Sequence, residues 1–267
     1  MLEILTFEEI TQIRMSREIG GNPVYWVAAY LVDGLLVDTG CSYTAGELVS
    51  FLEKHPPKRV VNTHYHEDHI GANRLIQERF GIDIYAPLES VPFIGKHATL
   101  FPYQEQVWGY PEPSEVQPLS PVIGTDRFSF EVIETPGHSA DHVALVERSK
   151  GWCISGDLFA GGGLKVIRPE EDMQTTVASL ERLAALDTRR LILFTSSGRI
   201  VENGRKALGE CAGCLRALSR KAKDLQAQGK TVAEIMKVLF GGEHPRAQRT
   251  DGQFTTENLI RSLLKMG

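Results

Sequence analysis

The chain has 267 residues, of which 42 % are hydrophobic and 24 % are charged, and its formal net charge is −5 at pH 7. This composition is ordinary for a globular protein. No apolar run approaches the roughly 20 residues that cross a bilayer, so we expect no membrane partner. Because the first nine residues carry acids where a secretion signal would carry bases, we expect a cytoplasmic protein.

Charge is distributed unevenly along the chain. Residues 205–267 hold twelve Lys or Arg against six Asp or Glu, a net charge of +6, which leaves −11 for the remainder. Such an asymmetry favours an anionic partner for the C-terminal segment. It is also typical of a solvated helical surface, and both interpretations stay open at this point.

The first forty residues are predicted to form β-structure. Ile10–Ser16 alternates between apolar and polar residues, and Val24–Val32 is rich in β-branched and aromatic side chains. A short strand then ends at Asp38, and a helix with Ser42 as its N-cap is predicted over Ser42–His55. The next predicted elements are a buried strand, a helix and a short strand: 59–62, Ala72–Phe80 and Asp83–Tyr85.

Residues 87–120 are the least regular part of the chain. They contain six prolines together with five aromatic residues, namely Phe93, Phe101, Tyr103, Trp108 and Tyr110. A long, proline-broken segment that carries aromatic side chains is often a lid or the wall of a pocket. A helical insertion that packs on the core is the alternative.

Strand patterns return in the second half of the chain and then give way to helices. A strand region is predicted over Val122–Glu134, and it is followed by three more strands and a helix: Val143–Glu147, Trp152–Ser155, Leu191–Thr195 and the helix Met173–Leu186. Helical patterns fill almost everything after residue 204: Lys206–Gln228, Val232–Phe240 and Thr256–Met266. We therefore expect a catalytic domain of residues 1–203 and a small α-helical domain of residues 204–267.

Three imidazoles and two carboxylates fall within six consecutive residues after the strand at 59–62. His64 and His66 alternate as on a strand end, so both rings can point to one side. Asp68 and His69 follow where the chain turns into the next helix, and they can face the same cleft. Imidazole together with carboxylate suits zinc, iron or manganese, with an open position for water. The sequence therefore predicts a divalent metal site in this stretch.

Two further strand ends carry residues of the same kind. His138 follows a Pro-Gly turn, where a rigid backbone can hold an imidazole over the edge of a sheet. Asp157 ends a strand through Gly156, which is expected to let a ligand or metal approach the backbone closely. Chemistry is often placed on loops at strand ends, so we expect both residues to join the first stretch.

The stretches THYHEDHIGAN, TPGHSADH and SGDLF, preceded by LLVDTG, resemble the metallo-β-lactamase superfamily of hydrolases over about residues 20–200. The resemblance implies an α+β fold, a four-layer αβ/βα sandwich with the metals in a cleft between the edges of two sheets. It also implies two divalent cations, with His64, His66 and His138 on the first, Asp68 and His69 on the second, and Asp157 bridging the two. His142 would support the fold.

The chain departs from the family pattern at one position. Members with a full dinuclear site usually supply a last histidine from a loop after a late strand, and Ser197 stands there in this sequence. A hydroxyl is a poor ligand beside imidazole. The second metal is therefore expected to bind weakly, to complete its shell with water, or to take a histidine from elsewhere. His244, in an irregular loop, is the candidate for that histidine, and Asp38 is a candidate supporting group behind the ligands.

The resemblance implies a hydrolase that uses a metal-bound hydroxide, with zinc as the first choice of metal and iron or manganese as alternatives. Asp68 would orient the hydroxide or take a proton. We expect a small anionic ester or thioester as substrate, as in glyoxalase II-like members with a helical C-terminal appendage. The basic C-terminal segment would receive an anionic carrier such as glutathione or coenzyme A.

Two other functions compete with this one. A single-strand nuclease would use Arg216, Arg220, Lys221 and Lys223 as phosphate contacts and the aromatic residues of 93–110 to stack bases, although the net charge of −5 makes a nucleic-acid partner less favoured. A non-catalytic binding protein with an incomplete second metal site would explain Ser197. The oligomeric state stays open, with a homodimer among the options.

Overall fold

The strand patterns of the sequence assemble into two large β-sheets and one small hairpin. The computed structural model describes residues 1–159, 161 and 163–267. Within these residues the strands are, in chain order, β1 Leu2–Phe7, β2 Ile10–Met15, β3 Glu18–Ile19, β4 Asn22–Pro23, β5 Val27–Val32, β6 Leu35–Val37, β7 Arg59–Val61, β8 Ile84–Ala86, β9 Gln117–Pro118, β10 Val122–Gly124, β11 Ser129–Glu134, β12 Val143–Glu147, β13 Trp152–Gly156, β14 Ile192–Thr195 and β15 Ile200–Val201.

The first sheet has the strand order β1-β2-β5-β6-β7-β8-β9, and the second has the order β10-β11-β12-β13-β14-β15. In the first sheet β6, β7, β8 and β9 are parallel neighbours. In the second, β13 and β14 are parallel and the other pairs are antiparallel. Because parallel strands end at the same edge of a sheet, the loops that follow β6 and β7 lie side by side.

Both faces of the central strands are buried. In β5 the side chains of Val27 and Ala29 enter one core, and those of Ala28 and Tyr30 enter another, as expected from the period of two along a strand. One core lies between the two sheets, and each sheet has a further core between its outer face and a layer of helices. The result is the four-layer αβ/βα sandwich, so the predicted α+β fold is confirmed.

The α-helices cover the outer faces of the two sheets. Among the described residues they are, in chain order, α1 Ala45–Leu52, α2 Asn73–Phe80, α3 Val91–Ile94, α4 Pro102–Val107, α5 Met173–Ala184, α6 Gly204–Ala227, α7 Val232–Phe240, α8 Arg246–Arg249 and α9 Thr256–Lys265. No helix in the described part of the chain has the length and apolar character that crossing a membrane requires.

Two local predictions are wrong. Ser42 does not cap the first helix, because a short 3₁₀ turn, Ser42–Thr44, precedes α1 and the Ser42 hydroxyl is buried without a partner among the described residues. The strand region predicted over Val122–Glu134 is divided into β10 and β11. The division is caused by a tight turn in which Thr125 N–H donates to the carbonyl of Phe128.

The segment 87–120 contains helices α3 and α4 and packs on the core. Tyr103 and Trp108 are buried in the core beneath the first sheet, whereas Phe93, Phe101 and Tyr110 are exposed. The buried Tyr103 and Trp108 line one cavity, and the exposed Phe93 and Phe101 line another. The segment is therefore both a helical insertion that packs on the core and the wall of a pocket.

The helices after residue 204 share a hydrophobic core with the second sheet. Leu208 and Leu215 of α6 and Leu259 of α9 belong to the same buried cluster as Val177 of α5 and Leu193 of β14. The Ser219 hydroxyl donates to the carbonyl of Leu263 at 2.8 Å and joins α6 to α9. This packing places the loop around α8 at the mouth of the cleft between the sheets.

Candidate metal centre

The loop after β7 carries the first group of histidines. Hydrogen bonds hold its backbone: Thr63 N–H donates to Asp38 Oδ1 at 2.8 Å, and Tyr65 N–H donates to Asp141 Oδ2 at 3.0 Å. His64 Nε2 lies 3.0 Å from His66 Nδ1 in this loop. Both rings are buried, and this contact shows that they turn toward one side, as predicted from their alternation.

His138 completes a three-histidine group from the second sheet. Its Nε2 lies 2.9 Å from His66 Nδ1, and one nitrogen from each of the three rings falls within 4.8 Å of the others. The other ring nitrogen of His138 donates to Glu171 Oε2 at 3.3 Å. A proton on Nδ1 leaves the lone pair of Nε2 free, so Glu171 orients His138 toward the group.

His64 is oriented in the same way by a hydroxyl. Thr63 donates its hydroxyl proton to Asp38 Oδ2 at 2.9 Å, so its oxygen accepts from His64 Nδ1, 3.0 Å away. The lone pair of His64 Nε2 therefore points into the group. Burial, reinforced by the neighbouring histidines, holds the pKa of His64 well below its ordinary value, which keeps this imidazole neutral as a metal ligand requires.

A second group adjoins the first and is built from His69, Asp157 and Asp68. His69 Nε2 lies 3.4 Å from Asp157 Oδ1 and 3.9 Å from Asp68 Oδ2. The other oxygen of Asp157, Oδ2, lies 3.2 Å from His138 Nε2. Asp157 therefore turns one oxygen toward each group, which is the arrangement that a bridging carboxylate needs.

Asp38 supports His69 from behind. Its Oδ2 accepts from His69 Nδ1 at 2.8 Å, and both side chains are buried. Asp38 has a φ of +61°, a left-handed conformation that Asp and Asn tolerate better than most other residues. The carboxylate–histidine pair fixes which nitrogen of His69 faces the cleft.

The donor set fits a divalent cation. His69 Nε2 is buried, and no hydrogen-bond partner meets it among the residues that the structure describes. Burial lowers the pKa of His69, but the carboxylates of Asp38, Asp68 and Asp157 raise it by more, so the net pKa lies well above its ordinary value. A cation at this nitrogen would satisfy both the orphaned atom and the surplus of negative charge around it.

Burial also shifts the carboxylates of the centre. It raises the pKa of Asp68 to about 7, and the nearby Glu67 and Asp157 also raise it. Burial acts in the same direction on Asp157, but His138 and His69 outweigh it and hold the pKa of Asp157 well below its ordinary value. The two carboxyls thus differ in charge state near neutral pH, and Asp68 is the one suited to accept a proton.

His142 supports the loop that carries Asp157. Its Nε2 accepts from the Asp157 N–H at 3.0 Å, and its Nδ1 lies 2.8 Å from the Thr135 hydroxyl. Both ring nitrogens are therefore used within the fold. Gly156 has a φ of +48°, and a Cβ at this position would lie 2.4 Å from His142 Nε2. A close approach at Gly156 was predicted, and the structure shows that the His142 ring makes one.

The two remaining candidate ligands, Ser197 and His244, line different cavities. Ser197 lines the same cavity as the metal centre, where its hydroxyl is 3.1 Å from Thr195 Oγ1. The neighbouring Ser196, which the sequence analysis did not single out, hydrogen-bonds Asp157. His244 lines a neighbouring cavity, and its Nδ1 accepts from the Arg246 N–H at 3.2 Å. The structure does not bring His244 to the metal centre.

A cavity of about 480 Å³ opens onto Asp68, His138 and Asp157. Its walls come from distant parts of the chain, and they combine aromatic with basic side chains: Tyr25, Tyr103, Trp108, Phe159, Phe254, Arg168, Arg246 and Arg249. The Phe254 ring lies between two guanidinium groups, with the Cζ atoms of Arg168 and Arg246 at 5.1 and 5.4 Å from its centroid. The C-terminal segment therefore contributes cations to the same cavity that holds the metal centre.

Sequence reasoning did not identify Glu171, Arg168 or Arg246. Glu171 stands between Glu170 and Asp172, and Arg246 precedes Arg249 by three residues, but neither pattern is typical of a metal site. They meet the histidines only through the packing of the segment after β13 and of the C-terminal helices. The basic excess of residues 205–267 was the one available signal, and it pointed to the segment without distinguishing its members.

The four basic residues assigned to phosphate contacts in the nuclease alternative lie elsewhere. Arg216 pairs with Glu181 through two bonds of 2.7 Å, and the Lys223 ammonium donates to the carbonyl of Met266. Arg220 and Lys221 are exposed on α6. None of the four is among the described residues that line the cavity of the metal centre.

Comparison with known proteins agrees with the geometry. The family model described as the metallo-beta-lactamase superfamily matches residues 26–195. Hydroxyacylglutathione hydrolase GloC of Haemophilus influenzae is 30 % identical over 130 residues, which cover 46 % of this chain and 60 % of that protein. The chain thus matches less than two thirds of this relative's length.

Two other likenesses extend over most of the chain. The atrochrysone carboxyl ACP thioesterase of Aspergillus fumigatus is 23 % identical over 259 residues, which cover 87 % of this chain and 75 % of that protein. A crystal structure of a metallo-beta-lactamase family protein from Thermus thermophilus superposes with a TM-score of 0.68 at 18 % identity. The superposition covers 97 % of this chain and 91 % of the Thermus thermophilus chain, so the similarity of fold includes the C-terminal helices.

Proposed function

This chain belongs to the metallo-beta-lactamase superfamily of hydrolases, and from that premise we propose that it depends on two divalent cations and cleaves a small anionic thioester or ester. We assign His64, His66 and His138, which meet in one group, to one cation, and Asp68 and His69 to the other. Asp157 would contact both. Imidazole-rich donors favour zinc, with iron or manganese as alternatives.

The bound cations would supply a Lewis acid that acidifies water and polarises the scissile carbonyl. The chain's own residues prepare for this chemistry. Asp68 lines the cavity together with His138 and Asp157, so its carboxylate is placed to orient the attacking water and to take a proton from it. Glu171 and Asp38 keep His138 and His69 turned toward the centre.

The observation that carries the choice of substrate is the shared cavity. Arg246 and Arg249, the first and last residues of α8, line the same space as Asp68 and Asp157. Guanidinium groups recognise carboxylates and phosphates through paired hydrogen bonds. A substrate with an anionic carrier group therefore fits with its carrier toward α8 and its carbonyl at the centre.

The names of the relatives favour a thioester among the possible substrates. One is named a hydroxyacylglutathione hydrolase and another an atrochrysone carboxyl ACP thioesterase, and the second match covers 87 % of this chain. In both names the acyl group is joined to a carrier. Ester cleavage would use the same residues, because the attacked carbonyl and the carrier contacts are alike.

Substitution of a cavity arginine tests this proposal. We expect Arg246→Gln to raise the KM for an acyl-coenzyme A or acyl-glutathione thioester by about tenfold, which corresponds to the loss of one charge-assisted hydrogen bond. The matched control is Arg216→Gln, since Arg216 is also an exposed helical arginine but pairs with Glu181 away from the cavity. Kinetics of thioester cleavage by protein purified without chelator would measure both variants.

Two outcomes of that experiment would count against the proposal. A protein that carries two equivalents of metal and leaves every thioester and ester intact would contradict the function. An equal rise in KM for Arg246→Gln and Arg216→Gln would contradict the assigned position of the carrier.

A further inference from the structure

A second cavity lies next to the cavity of the metal centre, with Arg168 in the wall that both share. Its volume is about 500 Å³. His66 lines it, while the Nδ1 of the same ring lies among the three-histidine group. The second cavity thus reaches within the width of one imidazole ring of the metal centre.

The wall of this second cavity is rich in apolar and aromatic side chains: Tyr65, Ile70, Pro92, Phe93, Ile94, Leu100, Phe101 and Pro111. Phe93 is 56 % exposed and Phe101 is 43 % exposed. The rings of Phe93 and Tyr65 are stacked at 4.6 Å, and Tyr65 lies between the two histidines His64 and His66 in the chain. Exposed apolar surface that lines a concave site is typical of a ligand-binding wall.

The charges of the two cavities differ. Three arginines line the cavity of the metal centre, whereas the second cavity has Arg168 and Lys96 together with three glutamates: the buried Glu67 and the exposed Glu112 and Glu170. Charges of both signs do not select an anion. Its aromatic wall instead favours a ligand group that gains free energy by leaving water.

Arg168 separates the two cavities without being tightly clamped. Its nearest carboxylates are Glu67 at 3.5 Å and Glu170 at 3.9 Å, longer than the roughly 2.7–2.9 Å of a charge-assisted hydrogen bond. Its Nε has no partner among the described residues. Because Arg168 is buried and its Nη1 lies 3.5 Å from His66 Nε2, a chain that joins the two cavities would have to displace this side chain, and no short ion pair opposes that movement.

We propose that the second cavity binds the acyl group of the substrate, and that this group is a medium-length apolar chain. The inference rests on the proposed function and deepens it. The carrier would lie toward Arg246, the carbonyl at the metal centre, and the acyl chain along Arg168 toward Phe93. Hydrolysis adds the hydroxyl of water to the carbonyl carbon and its proton to the departing sulfur, which yields a fatty acid and a thiol.

A chain-length series tests the inference on the wild-type protein. The probes are the acetyl, hexanoyl and decanoyl thioesters of coenzyme A, which share one carrier. We expect kcat/KM to be at least about tenfold higher for hexanoyl than for acetyl, because each of the additional methylenes gains free energy by leaving water. An equal or falling kcat/KM along the series would overturn the acyl assignment.

Phe93→Ala tests the position of the chain. Phe93 is largely exposed, so its loss leaves no buried void in the core, and the variant should fold. We expect the hexanoyl-to-acetyl ratio of kcat/KM to fall by about fivefold or more. The control is Leu88→Ala, since Leu88 is an apolar side chain of the same segment that is 65 % exposed and outside both cavities; its ratio should stay at the wild-type value.

The results separate the two proposals. Cleavage of acetyl-coenzyme A with a ratio unchanged by Phe93→Ala would support thioester hydrolysis and overturn the second cavity as the acyl site. A failure to cleave any thioester or ester, at any length and with metal bound, would overturn the proposed function and this inference with it.

Discussion

The two groups of the metal centre are built on different principles. The first consists of three imidazoles that meet within 4.8 Å, and burial and neighbouring charges keep His64 and His66 neutral. The second has a single imidazole, His69, surrounded by the carboxylates of Asp38, Asp68 and Asp157. The first group is prepared for a cation by geometry, and the second mainly by an excess of negative charge.

This difference bears on how tightly each cation would be held. The first group offers three imidazole nitrogens to a cation, whereas the second offers one imidazole and two carboxylates, Asp68 and Asp157. Ser197 offers only a hydroxyl at the position where the family pattern has an imidazole. We therefore propose that the first cation binds more strongly than the second, and three substitutions test that order.

Removal of a histidine from the first group should have the largest effect. We expect His66→Ala to lower the hydrolytic rate below about a tenth of wild type, because the loss of one of three imidazoles weakens the better-formed cation site. The rate and the metal content per chain, by elemental analysis, would measure this. A variant that kept more than about a tenth of the rate would show that His66 is not a ligand.

Loss of the support behind His69 should have an intermediate effect, larger on the second group than on the first. We expect Asp38→Asn to weaken the second cation about 10- to 100-fold and the first cation less, because Asp38 contacts His69 directly and His64 only through Thr63. Titration with zinc would measure both affinities. Asp33→Asn is the matched control, because Asp33 also has a positive φ but faces Arg127. Equal weakening of both cations by Asp38→Asn would contradict the division into two groups.

An added imidazole should have the smallest effect. It should reduce the difference in cation affinity between the two groups. We expect Ser197→His to raise the affinity for the second cation by about tenfold, since imidazole is a better ligand than a hydroxyl. The same zinc titration measures it. An unchanged affinity and stoichiometry would mean that the second position is already complete with the residues present.

Much of the fold could be predicted from the sequence because its signals are local. The β12 strand Val143–Glu147 and helix α7, Val232–Phe240, have the predicted bounds, since apolar periodicity and flanking turn residues act over a few neighbours. The Ser42 cap was predicted wrongly, because Gly71 packs against the backbone of Cys41 and Ser42 and the chain there is held by tertiary contacts.

The sequence by itself also determined which residues could form a metal centre. His64, His66, Asp68 and His69 are neighbours in one loop, so any fold that buries the preceding strand brings them to one place. The assignment of individual cations to these residues stays a prediction, although the structure places all six expected donors within one cleft.

Only the tertiary structure decided what surrounds that centre. Glu171 meets His138, and Arg246 and Phe254 reach the cavity from a segment far along the chain from Asp157. Long-range contacts of this kind depend on how the layers and the C-terminal helices pack. A single residue gives no periodic sequence pattern from which such a contact could be predicted. The metal centre is thus a property of one loop and the neighbouring strand ends, whereas the shape and charge of its cavities are properties of the whole fold.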